Sequence, residues 1–74
     1  MSRTFVITGG AKGIGRCMVE YFASKGDKVY FIDNDAKTTI VVSNQLRGKG
    51  WDVHDFVGDI ADKKTLIDFA AKVF

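Results

Sequence analysis

The residues best suited to chemistry form a glycine-rich stretch, 8–16, with the sequence T-G-G-A-K-G-I-G-R. The stretch directly follows an apolar, β-branched run, 5–7, and an amphipathic segment begins at Ile14. A glycine-rich turn between a strand and a helix can bind a diphosphate through backbone N–H groups, without dedicated charged side chains. The stretch therefore predicts a phosphate-binding turn.

Each glycine of this motif has a predicted role. Gly9 permits a sharp exit from the strand, because glycine adopts backbone angles that other residues avoid. Gly13 removes a Cβ where the backbone approaches a pyrophosphate, and Gly15 lets the helix pack closely against the strand. The N–H groups near Ile14 then face the anion, and the helix dipole strengthens the attraction. A junction of strand and helix is the context that the motif requires.

A second chemical signal is Asp33, at the carboxyl end of the apolar run 29–32. A carboxylate at this position can accept hydrogen bonds from both ribose hydroxyls of an adenosine, and it repels a 2′-phosphate. In the alternative interpretation, Asp33 only caps the following helix. Because Asn34 and Asp35 can already provide that cap, ribose binding is favoured.

Strands and helices must position these residues. The run 4–7 is nearly continuous and hydrophobic, as a strand buried on both faces should be. The following helix should end near Gly26, which is well placed as its left-handed cap. Its apolar positions have the spacing of one helical face, which we expect to pack against the sheet, and they are Ile14, Cys17, Met18, Tyr21 and Phe22.

The rest of the chain continues the alternation of strand and helix. The run 29–32 is a second strand, and 36–47 is a helix if its cap and flanking glycines outweigh the poor helix propensity of 38–42. The segment 51–57 is more polar and alternating, which suits a strand at a sheet edge. Asp62 is the predicted N-cap of a last helix. The apolar face of that helix comprises Leu66, Phe69, Ala70, Val73 and Phe74.

The order β-α-β-α-β-α predicts an α/β fold, the first half of a doubly wound Rossmann fold, with a parallel sheet in strand order 3-2-1 and three helices. The first two helices should cover one face of the sheet. The third should cross toward a fourth strand, before which the sequence is expected to be truncated. The first strand would then have an open edge, through which the chain is expected to self-associate.

Composition excludes several classes of protein. The 74 residues make at most one domain, and a net charge of +2 with interspersed acids and bases gives no basic face for nucleic acid. The apolar runs are too short to span a membrane. The single cysteine, Cys17, allows no disulfide, so the cytoplasm is the expected compartment. Cys17 should be a small buried residue and His54 a solvated one, and no side chains have metal-ligand spacing.

The pattern resembles the classical short-chain dehydrogenase/reductase family over the whole chain. The matching features are the T-G-x-x-x-G-I-G motif at 8–15, an acidic end to the second strand, and Gly58-Asp59-Ile60 after the third. The resemblance implies that the Thr-Gly pair opens a cofactor loop, that the Asp59 carboxylate contacts the adenine amino group, and that the Ile60 N–H contacts the adenine ring. From the residues alone, Asp59 is better explained as a turn former after Gly58. The predicted cofactor-binding residues are Thr8, Gly9, Lys12, Gly13, Ile14, Gly15, Asp33, Asn34, Asp59 and Ile60.

The resemblance also bears on which nicotinamide cofactor is bound. Asp33 favours NAD, whereas Lys12 and Arg16 favour NADP, because family members that bind NADP often carry a basic residue just before the second glycine. A carboxylate placed directly at the ribose should outweigh a flexible lysine, since its contact with a 2′-phosphate is repulsive. NAD is therefore the predicted cofactor in preference to NADP.

The resemblance implies hydride transfer between the nicotinamide and a small alcohol or carbonyl substrate in a full-length enzyme. The catalytic serine and the Tyr-x-x-x-Lys pair of the family are expected after Phe74, so this chain has no predicted catalytic residue. Tyr21 and Lys25 match Y-x-x-x-K by coincidence, since Tyr21 falls on the predicted apolar helix face. We expect residues 1–74 to be a partial NAD(P)-binding Rossmann domain that binds its dinucleotide weakly and has no turnover alone. The alternative is a small, non-catalytic module for dinucleotide binding or interaction.

Overall fold

The computed structural model describes residues 3–73, and within them the predicted elements occur in the predicted order. The strands are β1 (Thr4–Thr8), β2 (Lys28–Asp33) and β3 (Val53–Val57), and the helices are α1 (Gly13–Ser24), α2 (Ala36–Arg47) and α3 (Lys63–Val73). The alternation of strand and helix is thus confirmed, with element ends that differ by a few residues.

The strands form one parallel sheet in the order β1-β2-β3, which is the predicted 3-2-1 order named from the other edge. β2 lies in the centre, and its residues Val29, Phe31 and Ile32 have no exposed surface. Its continuous apolar sequence is what a parallel strand buried on both faces requires. The register aligns Thr8, Ile32 and Phe56 across the sheet, so the carboxyl ends of the strands meet at one end of it.

β1 is less buried than its sequence predicts. Ile7 is the buried residue of this strand, whereas Val6 is 46% exposed. The expectation of burial on both faces is therefore wrong for this chain. The reason is that, among the described strands, β1 pairs with β2 alone and forms the predicted open edge of the sheet.

Helices cover both faces of the sheet. α1 and α2 pack on one face, as predicted, and α3 packs on the other. The buried residues of the first layer are Ile7, Ala11, Val19, Ala23, Val29, Phe31, Val42, Leu46 and Val53. The second layer is smaller and consists of Tyr30, Ile32 and Phe69, with Phe56 and Val73 partly buried beside them.

α1 presents a different face to the sheet from the predicted one. Its buried residues are Val19 and Ala23. Most of the predicted face is in solvent, where Ile14 is 82%, Met18 43% and Tyr21 56% exposed and Cys17 is exposed as well. The predictions of a buried Cys17 and of a Tyr21 packed against the sheet are therefore wrong.

Gly15 sets the orientation of α1. A Cβ added at Gly15 would overlap the carbonyl oxygen of Gly9 and lie 2.8 Å from the carbonyl carbon. The helix therefore begins with Gly15 turned toward the glycine turn, in the close approach that this glycine was predicted to allow. Val19 and Ala23 follow at four-residue intervals, so they share that face and become the buried stripe.

α2 forms as predicted, despite its β-branched residues. Asp35 caps it, since the Oδ1 atom of Asp35 accepts a hydrogen bond from the Thr38 backbone N–H at 3.1 Å. The buried residues share one helical face and are Thr39, Val42, Ser43 and Leu46. Burial of that face against the sheet outweighs the low intrinsic helix propensity of the segment.

α3 begins directly after Asp62, the predicted cap, whose carboxylate accepts hydrogen bonds from the Lys64 N–H at 3.1 Å and the Thr65 hydroxyl at 3.2 Å. The packed face of α3 is narrower than predicted. Phe69 is buried and contacts Phe56, with ring centroids 5.6 Å apart. Of the other predicted members, Val73 is half-buried, Leu66 and Ala70 are exposed, and Phe74 lies outside the described residues.

None of the helices within residues 3–73 has the length and apolar character needed to cross a bilayer.

Leu46 and Leu66 provide a matched test of this packing. Leu46 is 1% exposed, whereas Leu66 is 47% exposed. Leu46→Ala should lower the free energy of unfolding by about 2–4 kcal/mol, because it removes buried methyl groups and leaves a cavity. Leu66→Ala should lower it by less than about 1 kcal/mol. Urea denaturation followed by circular dichroism measures both values, and equal losses would contradict the packing.

Candidate functional site

A cavity of about 330 Å³ lies at the carboxyl ends of the strands. In open parallel sheets, ligands bind at this end of the strands. The residues that line the cavity are Thr8, Gly9, Ile32, Asp33, Asn34, Gly58, Asp59 and Ile60. The structure thus brings together predicted residues from all three strand ends, namely Thr8, Gly9, Asp33, Asn34, Asp59 and Ile60. Ile32 and Gly58 are additions, and their signal in the sequence is their position next to a predicted site residue.

The remaining predicted residues lie where α1 begins. Gly13 and Ile14 line a second, apolar cavity of about 610 Å³, together with Cys17, Met18, Tyr21 and Phe22. Lys12 directly precedes the helix, and Gly15 faces the glycine turn. These four predicted residues therefore lie at the N-terminus of α1. In the chain they follow Thr8 and Gly9, which line the first cavity.

The N-terminus of α1 has the features of an anion site. Lys12, at the N-cap position, has extended backbone angles, and its side chain makes no capping hydrogen bond. The first backbone N–H groups of a helix have no acceptor within the helix, so those of Gly13 and Ile14 can serve a ligand. Gly13 has a φ of +56°, a conformation that side chains disfavour.

The glycine pair Gly9-Gly10 holds the turn against β2. The Gly9 N–H donates to the Ile32 carbonyl oxygen at 2.7 Å, with Gly9 at a φ of +68°. A Cβ at Gly10 would lie 2.8 Å from ring carbons of Phe31. Gly10 was not among the predicted residues, and its signal is that it directly follows Gly9 in the motif.

Asp33 joins the glycine turn to the loop that follows β2. Its Oδ2 accepts a hydrogen bond from the Ala11 N–H at 3.2 Å, and its Oδ1 accepts one from the Asp35 N–H at 3.0 Å. The cap of α2 is Asp35, so the alternative in which Asp33 merely caps that helix is wrong. Each carboxylate oxygen has a second lone pair, so Asp33 can still accept hydrogen bonds from ribose hydroxyls.

Lys12 and Asp35 form an ion pair beside Asp33. The Lys12 Nζ lies 2.8 Å from the Asp35 Oδ2. The hydrogen bond from Lys12, assisted by those from Thr38, lowers the pKa of Asp35 to about 2. The same hydrogen bond raises the pKa of Lys12, and the negative charge of Asp33 adds to that rise. Both members of the pair are therefore charged at neutral pH.

Arg16, the other basic residue of the motif, lies in α1 and contacts side chains of α1 and α2. Its Nε lies 3.3 Å from the Glu20 Oε1, and its guanidinium donates to the Gln45 Oε1 at 3.0 Å. Arg16 therefore links the two helices on their common face of the sheet.

Asp59 is a turn former, and it also lines the first cavity. Its Oδ1 accepts a hydrogen bond from the Ala61 N–H at 2.9 Å, and its carbonyl oxygen accepts one from the Asp62 N–H at 2.9 Å. These are the contacts of a turn former. Asp59 also lines the cavity beside Ile60, where its side chain is exposed.

His54 does not belong to the site. It lies on β3, half-buried, with its ring stacked on Tyr30 at a centroid distance of 4.7 Å and its Nε2 2.6 Å from the Asp52 carboxylate. The side chain keeps 35% of its surface exposed to solvent, as predicted, but it also packs on Tyr30. Within residues 3–73, no group of three or more His, Cys, Asp or Glu side chains could hold a metal ion.

The chain is similar in sequence to a protein family and to several oxidoreductases. The family model described as short chain dehydrogenase matches residues 3–74. The chain is 33% identical over 67 residues to an uncharacterised oxidoreductase of Thermotoga maritima, with 90% of this chain and 26% of the relative covered. It is 30% identical over 77 residues to a diacetyl reductase ((S)-acetoin forming) of Staphylococcus epidermidis, with 100% of this chain and 30% of the relative covered.

Solved structures of other proteins superpose closely on this fold. A short chain dehydrogenase/reductase of Burkholderia phymatum in complex with NAD superposes with a TM-score of 0.93 at 28% identity, over 97% of this chain and 26% of that one. The L-sorbose reductase of Gluconobacter frateurii, complexed with NADPH and L-sorbose, superposes with a TM-score of 0.90 at 25% identity, over 97% and 28%. The chain spans between 26% and 30% of the length of these four proteins. It therefore belongs to the short chain dehydrogenase family and corresponds to the cofactor-binding segment of that family's Rossmann fold.

Proposed function

We propose that this segment binds NAD(H) as part of an oxidoreductase and that the residues at the strand ends form the adenosine site. The observation that carries the proposal is the position of Asp33, which lines the cavity at the strand ends. A carboxylate at the end of the second strand is where a dinucleotide-binding fold receives the adenosine ribose. Residues 1–74 are, in this proposal, one part of an NAD(P)-binding Rossmann domain.

The other parts of the site suit the remaining groups of the cofactor. The uncapped N-terminus of α1, with Gly13 and Ile14, offers backbone donors and the positive end of the helix dipole to a diphosphate. Asp59 and Ile60 offer a carboxylate and a backbone N–H to the adenine. Thr8, Gly9 and Asn34 complete the walls of the cavity.

Asp33 also supports NAD over NADP. The similar structures contain NAD in one case and NADPH in another, so the choice depends on this chain's own residues. A 2′-phosphate would bring a second negative group against the Asp33 carboxylate, and contact between like charges weakens binding strongly. The ribose hydroxyls of NAD instead donate hydrogen bonds to that carboxylate.

The bound nicotinamide would supply hydride exchange with a small alcohol or carbonyl substrate in a full-length enzyme. The residues of this chain hold and orient the cofactor through its adenosine and diphosphate groups. None of them is proposed to touch the substrate. We expect the 74-residue chain to show no turnover alone.

The choice of cofactor is tested by titrating NADH and NADPH into the chain and following the fluorescence of the reduced nicotinamide. NADH should bind at least about tenfold more tightly, because only NADPH places a phosphate beside Asp33. Asp33→Asn should weaken NADH binding by about tenfold, since the ribose loses hydrogen bonds to a charged acceptor. The preference for NADH over NADPH should become smaller, because the carboxylate that repels the 2′-phosphate is gone.

Asp68→Asn is the matched control for this titration. Asp68 is exposed on α3, and its substitution changes the net charge by the same amount. Both affinities should stay within about twofold of those of the unsubstituted chain. Tighter binding of NADPH than of NADH, with the same order in Asp33→Asn, would contradict the choice of NAD.

We also propose that, in the isolated 74-residue chain, the open edge of β1 pairs with β1 of a second copy. An edge strand offers unpaired backbone donors and acceptors to another strand. Val6 on this strand is 46% exposed. Phe22 lines the apolar cavity on α1 and stacks on Phe5 of β1, with centroids 3.9 Å apart, so apolar surface continues from the helix to the edge. Pairing would therefore bury apolar side chains as well as satisfy the backbone.

Sedimentation across a range of protein concentrations tests this association. Val6→Lys should raise the dimer dissociation constant at least about tenfold, because a lysine on an edge strand opposes pairing with another edge. Val41→Lys is the matched control, since Val41 is 49% exposed on α2, away from β1. A chain that stays monomeric at all concentrations, or equal effects of the two lysines, would contradict the proposal.

A further inference from the structure

Two loops meet at the carboxylate of Asp33, and a second contact joins the same loops. The glycine turn donates the Ala11 N–H to Asp33, and the loop after β2 donates the Asp35 N–H. The residue that follows Ala11 is Lys12, and its ammonium bonds to the side chain of Asp35 at 2.8 Å. The ion pair therefore lies where the two loops flank the proposed ribose position.

The charges of these three side chains favour an uncharged ribose. Asp33 and Asp35 are negative and Lys12 is positive, so the group carries one net negative charge. Lys12 is the positive charge of this group, and it is already bound to a carboxylate. A phosphate that approached Asp33 would have to draw Lys12 away from Asp35, and it would meet two carboxylates.

We propose that Asp35 is a specificity-determining residue: by holding Lys12 in an ion pair, it keeps the ammonium from a 2′-phosphate and so biases the site toward NAD(H). The inference rests on the proposed function, since it concerns the same adenosine site. Asp35 acts through Lys12 and is therefore a positioning residue.

Asp35 also caps α2, and the two roles can be separated. The Asp35 Oδ1 accepts the Thr38 N–H at 3.1 Å, whereas Oδ2 bonds to Lys12 and accepts the Thr38 hydroxyl at 2.9 Å. Asparagine caps helices about as well as aspartate. Asp35→Asn therefore keeps the cap at Oδ1 and removes the negative charge that holds Lys12.

The test compares NADH and NADPH affinities of the 74-residue chain and of Asp35→Asn at low ionic strength, where exposed charges are least screened. Asp35→Asn should bind NADPH about three- to fivefold more tightly, because the released Lys12 can then form one exposed ionic contact with the 2′-phosphate. Its affinity for NADH should change by less than about twofold, because the ribose contact of Asp33 is kept.

Two further variants separate this mechanism from a general loss of negative charge. Asp62→Asn removes the same charge at another aspartate N-cap, which bonds to the Lys64 N–H and is not in contact with Lys12. It should leave the ratio of the two affinities within about twofold of the original. Adding Lys12→Gln to Asp35→Asn should abolish the gain in NADPH affinity, because the released ammonium is then absent.

An equal gain from Asp62→Asn, or a gain that persists with Lys12→Gln, would overturn the inference.

If the unsubstituted chain binds neither dinucleotide, the proposed function fails, and carboxyl NMR still tests the ion pair itself. The pKa of Asp35, held at about 2 chiefly by Lys12, should rise toward its ordinary value of 3.8 in Lys12→Gln. Because the pKa of Asp35 is lower in the folded chain, its ion pair stabilises the fold fully above pH 3.8, and this stabilisation is lost as the pH falls through about 2. If the pKa of Asp35 is unchanged in Lys12→Gln, the two side chains do not form the ion pair, and the inference is overturned.

Discussion

The close approach of α1 to the glycine turn determines how the helix packs and where its N-terminus lies. The place that a Cβ of Gly15 would take is occupied by the carbonyl group of Gly9. This contact fixes the rotation of the helix, so that Val19 and Ala23 are buried on the sheet. It also fixes the position of the helix N-terminus at the ends of the strands. The buried stripe of α1 and its proposed anion site are therefore two consequences of one steric contact.

The carboxylate of Asp33 preorganises the site in a similar way. Its hydrogen bonds with the N–H groups of Ala11 and Asp35 hold the two loops together without a ligand. The carboxylate keeps lone pairs for a ribose, so its structural role and its proposed binding role do not exclude each other. The ion pair of Lys12 with Asp35 adds a second link between the same loops. The arrangement of the loops and the proposed preference for NAD thus depend on the same charged side chains.

Sequence and structure agree where the signals lie close together along the chain. α2 could be predicted because the Asp35 cap and the spacing of its buried residues outweigh a poor intrinsic propensity. The predicted site residues at the strand ends could be placed because parallel strands with short loops bring their carboxyl ends together. The sequence pattern predicts the wrong buried face for α1, because its larger apolar residues, such as Ile14 and Tyr21, have the spacing of a core face but lie in solvent. Close packing against a backbone favours small side chains, so Ala23 is buried instead.

The order of the elements, the glycine turn at the start of α1 and the acidic residue after β2 can be predicted from the sequence, since each depends on residues that are neighbours in the chain. The buried face of α1, the exposure of β1 and the partner of Lys12 instead depend on tertiary packing. Lys12 and Asp35 lie on separate loops, and only the pairing of β1 with β2 brings those loops within reach of each other. Contacts of this kind depend on the relative placement of whole elements, which spacing along a single chain does not specify.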